Sequence, residues 1–126
     1  MFTLMIVEDN ADFRELLKDM LENEFPAVRV TEAASAEQAL EAVEKERPDL
    51  VFVDIKLPGM NGLELAKRLR IRFRDVVLVA LTSYDISEYR EAATKYKVDH
   101  YLLKGLSTRI EILELVKSIL IQRPTT

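Results

Sequence analysis

At 126 residues the chain is the size of one ordinary domain, and 48% apolar residues are enough for one core. Eighteen Lys+Arg against 22 Asp+Glu give a formal net charge of −4, which argues against nonspecific nucleic-acid binding. The absence of cysteine excludes disulfides and thiolate metal sites, and a single histidine, His100, excludes two-histidine zinc sites and two-histidine catalysis. The three glycines, Gly59, Gly62 and Gly105, form neither a dinucleotide-binding loop nor a Walker loop.

The opening stretch Met1 to Val7 is apolar, but it lacks a basic leader region and is cut off by Glu8-Asp9. No run approaches the roughly 18 apolar residues that span a bilayer. The expectation is a soluble, cytoplasmic single domain over residues 1–121, with 122–126 a tail or the start of a linker.

Thr3 to Val7 is short and continuously apolar, the pattern of a strand buried on both faces. Asn10 is a good N-cap for a helix carrying Phe13, Leu16, Leu17, Met20 and Leu21, which ends near Glu24, before Pro26. Val28 to Glu32 alternates apolar and polar residues, as an edge strand does. Ser35-Ala-Glu-Gln38 fits a capping box, and Arg47-Pro48 stops the helix that follows. Leu50 to Val53 is a third strand and ends at Asp54. Leu57 to Gly62 has turn chemistry, and Asn61 can cap a helix carrying Leu63, Leu65, Ala66 and Leu69.

Val76 to Leu81 is the most apolar strand and ends at Thr82-Ser83. A helix capped by Asp85 or Ser87 then runs to about Tyr96. Val98 to Leu103 is the fifth strand and ends at Lys104-Gly105. Thr108-Arg-Ile-Glu111 fits a second capping box, for a helix carrying Ile112, Leu113, Val116, Ile119 and Leu120. Strict alternation predicts an α/β fold: a doubly wound (βα)₅ three-layer sandwich with a parallel sheet in the order 2-1-3-4-5. In that order the chain reverses direction between the first and third strands, which opens a crevice at their carboxyl ends.

The residues closing the strands are Glu8-Asp9, Asp54, Thr82-Ser83 and Lys104. Topology therefore brings three carboxylates, a hydroxyl and an ammonium to one rim. Two unit charges about 4 Å apart repel by roughly 4 kcal/mol at an effective dielectric of 20. Crowded carboxylates call for a raised pKa or a cation among them. Oxygen ligands select a hard cation such as Mg²⁺. A cation, a lysine and a hydroxyl together suit the oxygens of a phosphoryl group, and a central carboxylate can act as nucleophile.

Val7-Glu8-Asp9-Asn10, Val53 to Gly62, Leu81-Thr82-Ser83 and Tyr101-Leu102-Leu103-Lys104 resemble the receiver domain of bacterial two-component response regulators. The resemblance covers about the whole chain, in the right order and spacing, and implies a flavodoxin-like, CheY-like fold. It implies that Asp54 is the phosphoacceptor, fed by a phosphohistidine on a sensor histidine kinase, by a phosphotransfer protein or by a small phosphodonor. Asp9, Asp54 and the backbone carbonyl of Lys56 would ligate Mg²⁺, or another divalent cation such as Mn²⁺, with Glu8 acting through a coordinated water. Thr82 and Lys104 would grip the phosphoryl oxygens. Thr82 and Tyr101 would form the switch that remodels the face of the fourth helix, fifth strand and fifth helix.

That face would address an output domain or a downstream protein, and the family allows homodimerisation on phosphorylation. No membrane contact and no direct nucleic-acid binding by this domain are expected. The domain would be no enzyme beyond catalysing its own phosphorylation and dephosphorylation. Two positions depart from the family. Gly105 stands where proline is usual, which leaves the isomer of the Lys104–Gly105 bond open. Leu106 stands where an aromatic is common. Lys56 and Tyr84 occupy the positions that flank the path of the hydrolytic water.

Simpler readings exist for each feature alone. Glu8-Asp9 fits an ordinary helix N-terminus, Tyr101 an edge-strand residue and His100 a solvent-facing one. The basic run Lys67 to Arg74 fits a solvated helix terminus. Three other functions share parts of the pattern. A haloacid-dehalogenase-type phosphatase has its aspartate on the first strand and a second aspartate two residues later, where this chain has Lys56. A flavodoxin-like electron carrier cradles a phosphate in its first loop, where Glu8-Asp9 would repel it. A degenerate receiver would lack key side chains, and all five positions are filled here.

Overall fold

The computed structural model describes residues 1–105 and 108–123. Five strands and five helices alternate: β1 Thr3–Val7, α1 Ala11–Glu24, β2 Arg29–Ala33, α2 Ala36–Lys45, β3 Leu50–Val53, α3 Gly62–Arg72, β4 Val77–Thr82, α4 Ser87–Lys95, β5 His100–Leu103 and α5 Thr108–Gln122. All strand pairs are parallel, and the order is β2-β1-β3-β4-β5, as the alternation predicts.

Side chains alternate across the strands and so feed two cores. Met5, Val7, Val51, Val53 and Leu78 pack against α2 and α3 through Ala39, Val43, Leu65, Ala66 and Leu69. Leu4, Ile6, Phe52, Val79 and Leu81 pack against α1 and α5 through Leu17, Leu21, Ile112, Val116 and Ile119. The central strands β1 and β3 are buried throughout, which is why they carry no charged residue and no polar one beyond Thr3 at the start of β1. β2 is an edge with a half-exposed pattern.

Local capping follows the sequence in three helices. Asn10 accepts from the Phe13 amide, Ser35 from Gln38, and Asn61 from both Leu63 and Glu64. The Gln38 side chain reaches back to the Ala34 amide, one residue before the expected partner.

α4 corrects the expectation. Its N-cap is Ile86, with no side-chain cap bond, while Asp85 instead accepts a 2.6 Å bond from Arg90. β5 starts at His100, two residues later than expected. Lys97 turns the chain with φ +60°, and Asp99 accepts from the Leu78 amide. Thr108 lies inside α5 and donates to the Leu103 carbonyl instead of serving as the N-cap. No peptide bond among the described residues is cis, and Gly105 has φ +89°. Leu106 and the segment 124–126 lie outside the described residues. No helix among the described residues is long and apolar enough to cross a membrane.

Candidate functional site

The sheet continues one residue past β1, β3 and β5, and this fixes the rim. The Glu8 amide donates to Ala33, the Asp54 amide to Val7 and the Lys104 amide to Thr82, at 2.8 to 3.1 Å. Each backbone bond anchors a chemically active side chain to the neighbouring strand.

Glu8, Asp9 and Asp54 each present a carboxylate oxygen, and these oxygens lie within 4.8 Å of one another. Glu8 and Asp54 are buried, at 3% and 7% exposure, and Asp9 is exposed. The Lys104 ammonium reaches 96 residues along the chain to Glu8 Oε1 at 2.5 Å and also contacts Asp54 Oδ2 at 3.1 Å. Its Nζ stands 4.4 Å over the Phe13 ring. Glu8 Oε2 accepts from the Asn10 amide, and the Glu8 carbonyl accepts from Arg14 at 2.7 Å.

Burial raises the Glu8 carboxyl above its ordinary value, against the lowering effect of the Lys104 hydrogen bond. Burial acts against the Lys104 ammonium too, but the bonds and charges of Glu8 and Asp54 outweigh it and hold its pKa above that of an ordinary lysine. One lysine thus braces two buried carboxylates.

Asp54 Oδ1 is buried and has no hydrogen-bond partner among the described residues. A buried, unpartnered carboxylate oxygen is costly. The donor set is all oxygen, suited to a hard divalent cation. The residues therefore fit such an ion.

Thr82 is fully buried at the end of β4, and its hydroxyl oxygen accepts from the Tyr84 amide at 3.3 Å. Tyr101 on β5 is half-buried, and its hydroxyl donates to the Tyr84 carbonyl at 2.6 Å. Burial raises the Tyr101 phenol above its ordinary value, with the Arg90 charge opposing the rise. His100 is exposed on the opposite face.

Lys56 belongs to the loop leaving β3, two residues after Asp54. Its ammonium lies 5.5 Å from the Tyr84 ring centroid and 6.0 Å from that of Tyr89. The loop then folds back over Asp54. The Gly62 amide donates to the Ile55 carbonyl at 2.8 Å, and a Cβ at Gly62 would collide with the Asp54 carbonyl oxygen. From α2, Glu37 accepts from the Met60 amide at 3.1 Å and holds the far side of this loop.

Sequence reasoning missed Arg14, Phe13, Glu37 and Arg90. Phe13 and Glu37 reach the rim or its loops across long stretches of chain, and Arg14 and Arg90 do so over six and five residues, spacings that no side-chain pairing rule marks. The basic run at the end of α3 is a helix terminus, as expected. Arg70 there donates to the carbonyls of Arg74, Val76 and Lys97 and to Asp99, and Arg72 pairs with Glu44. The cleft of about 460 Å³ beside Arg70, lined by Arg74, Lys97 and Asp99, lies away from the carboxylate rim.

Fold and rim together define a doubly wound α/β protein with an acidic, lysine-braced cup at the topological switch point. The chain matches the family model "Response regulator receiver domain" over residues 4–117, and it belongs to that family. It is a receiver domain of the response regulators of two-component systems, with the CheY-like fold. It is 33% identical over 115 residues to the sporulation initiation phosphotransferase F of Bacillus subtilis, covering 74% of this chain and 91% of that protein. A CheY-like receiver of Methanospirillum hungatei superposes with TM-score 0.89 at 28% identity, over 97% of this chain and 95% of that one. The response regulator TrrA of Thermotoga maritima, solved in complex with Mg²⁺-BeF, superposes with TM-score 0.82 at 34% identity, over 94% and 99% of the two chains. The chain spans 41% to 50% of the length of other curated relatives it matches.

Proposed function

We propose that this receiver is switched by phosphorylation of Asp54. The observation that carries the reading is the joint placement of Glu8, Asp9, Asp54 and Lys104 in one cup, with Asp54 Oδ1 unpartnered among the described residues. An Asp54 carboxylate oxygen forms a bond to phosphorus. The bond from phosphorus to the donor breaks, and its electron pair leaves with the histidine nitrogen of a sensor kinase or phosphotransfer protein, or with the oxygen of an acyl phosphate. Asp9, Asp54 and the Lys56 carbonyl would hold Mg²⁺ or Mn²⁺, with Glu8 acting through a coordinated water. The ion, when bound, supplies positive charge against the phosphoryl oxygens.

Lys104 is already in the cup and exchanges a carboxylate partner for a phosphoryl oxygen. The Thr82 hydroxyl accepts from Tyr84, so its own hydrogen is available to donate to that group. The phosphoryl group selects the arrangement in which the Thr82 hydroxyl accepts from the Tyr84 amide and the Tyr101 hydroxyl rests on the Tyr84 carbonyl, so Thr82 and Tyr101 respond together. This routes the change to the α4-β5-α5 face, where an output domain or a partner protein reads it. A homodimer formed on phosphorylation would use the same face. The domain acts inside the cytoplasm, downstream of its kinase, and its only chemistry is its own phosphorylation and dephosphorylation.

Fluorine NMR with Mg²⁺ and beryllofluoride tests the reading. Saturable binding is expected, dependent on the cation and lost in Asp54→Asn. Binding retained in Asp54→Asn would move the acceptor elsewhere.

A further inference from the structure

Tyr84 is held at both of its peptide groups. Its N–H donates to the Thr82 hydroxyl at 3.3 Å, and its carbonyl accepts from the Tyr101 hydroxyl at 2.6 Å. The next residue, Asp85, accepts from Arg90 Nε at 2.6 Å. The Arg90 guanidinium carbon then stands 4.4 Å from the centroid of the Tyr101 ring. Tyr84, Asp85, Arg90 and Tyr101 therefore close a ring of contacts: a peptide bond, an ion pair, a stacked cation and a hydrogen bond.

The ring sits where local structure is weakest. α4 begins after Ile86 with no side-chain cap, and of its residues only Ala93 is buried. Neither capping nor core packing fixes the first turn of α4 or the loop before it. A planar guanidinium can stack on a ring and donate to a carboxylate at the same time, which an ammonium does less well.

We propose that Arg90 is a positioning residue: stacked on Tyr101 and tied to Asp85, it holds the Tyr101 hydroxyl on the Tyr84 carbonyl and so favours the phosphoryl-accepting arrangement of Thr82. The proposal rests on the phosphoacceptor reading of Asp54. Arg90 makes its contacts before any phosphoryl group arrives, so it acts on the balance between two arrangements of the loop. By linkage, whatever favours one arrangement also tightens the ligand that selects it.

The test uses Arg90→Met, which keeps a long apolar stem and removes the cation, together with Arg90→Lys and Asp85→Asn. Two quantities are read: the Tyr101 ring resonance in the unliganded protein, and the beryllofluoride midpoint at fixed Mg²⁺ by fluorine NMR. An exposed cation–π contact predicts a midpoint about two- to fivefold higher in Arg90→Met. The Tyr101 resonance should move towards that of a solvent-exposed ring, and the amide resonances of β1 and β3 should stay in place. Arg90→Lys and Asp85→Asn should shift both quantities in the same direction by less. An unchanged midpoint overturns the proposal, whether or not the ring resonance moves. If Arg90→Met fails to fold, Arg90→Lys decides by the same criterion. Wild-type protein that takes up no beryllofluoride sinks the Asp54 reading instead, and the Tyr101 resonance of the unliganded variants still shows whether Arg90 holds the ring.

Discussion

Gly62→Ala probes how the site is built. The β3–α3 loop returns over Asp54, and a Cβ at residue 62 would meet backbone: it collides with the Asp54 carbonyl oxygen and stands 2.8 Å from its carbon and 2.9 Å from Ile55 Cα. Carbon–carbon contacts settle at about 3.5–4.0 Å, so the contact with the Asp54 carbon alone requires the loop to move by about 0.7 Å relative to the end of β3, and the carbonyl oxygen requires more. Among the described residues these three nearest atoms are all backbone, not the flexible end of a side chain. Overpacking of this kind costs about 1–3 kcal/mol, and the upper half of that range applies where backbone meets backbone. For a domain of this size the melting temperature then falls by roughly 5–15 °C.

The same movement displaces the Asp54 carboxylate, and a misplacement near 1 Å can cost about 100-fold in rate. Gly59→Ala is the comparison. It has φ +74°, and its neighbour is the end of the Glu37 side chain at 3.1 Å, which can swing away. Its cost is the strain of φ, about 1 kcal/mol, with phosphorylation largely retained. Thermal denaturation followed by circular dichroism gives the first quantity, and the rate of acetyl-phosphate labelling gives the second. Gly62→Ala melting within 2 °C of wild type, or labelling at the wild-type rate, would refute the steric argument.

Lys104→Met removes the cation shared by Glu8 and Asp54, whose side chains are 3% and 9% exposed. Without divalent cation it should lose about 3 kcal/mol in urea denaturation, and millimolar Mg²⁺ should recover part of the loss. A Lys104→Met protein as stable as wild type in chelator would contradict the bracing role. Glu37 is held below its ordinary carboxylate value by its own backbone amide and that of Met60. Its contribution is therefore complete above the unfolded value of 4.5 and is lost as pH falls through the lower folded value. The stability gap between wild type and Glu37→Gln should shrink on acidification over that window, and a gap that widens would show the sign to be wrong. Tyr84 is 41% exposed and shares the Lys56 ammonium with Tyr89. Tyr84→Ala should open the cup to water and speed loss of the phosphoryl group severalfold, and an unchanged dephosphorylation rate would dismiss the shielding role.

Much of this molecule was legible in its residues. Uninterrupted apolar strands announce a parallel sheet because both faces are covered, and the polar alternation of Arg29 to Ala33 marks the edge. Asn10, Ser35 and Asn61 disclose their helices because a side-chain oxygen must meet the first free amides. The strand-closing residues Glu8, Asp54, Thr82 and Lys104 converge because order 2-1-3-4-5 leaves them no other place. The start of α4 departs from expectation because Asp85, a fair cap by composition, is taken by Arg90 five residues on, a local ion pair outside the usual three- and four-residue spacings. The Arg14 bond to the Glu8 carbonyl spans six residues and follows no side-chain spacing rule, whereas Glu37 on the Met60 amide joins α2 to the β3–α3 loop and exists only once those elements meet.

The most direct measurement is intact mass after incubation with Mg²⁺ and acetyl phosphate. The account predicts one added phosphoryl group per chain, absent in Asp54→Asn and absent when the divalent cation is chelated. An added phosphoryl group that survives in Asp54→Asn, or none on the wild-type protein, would contradict it.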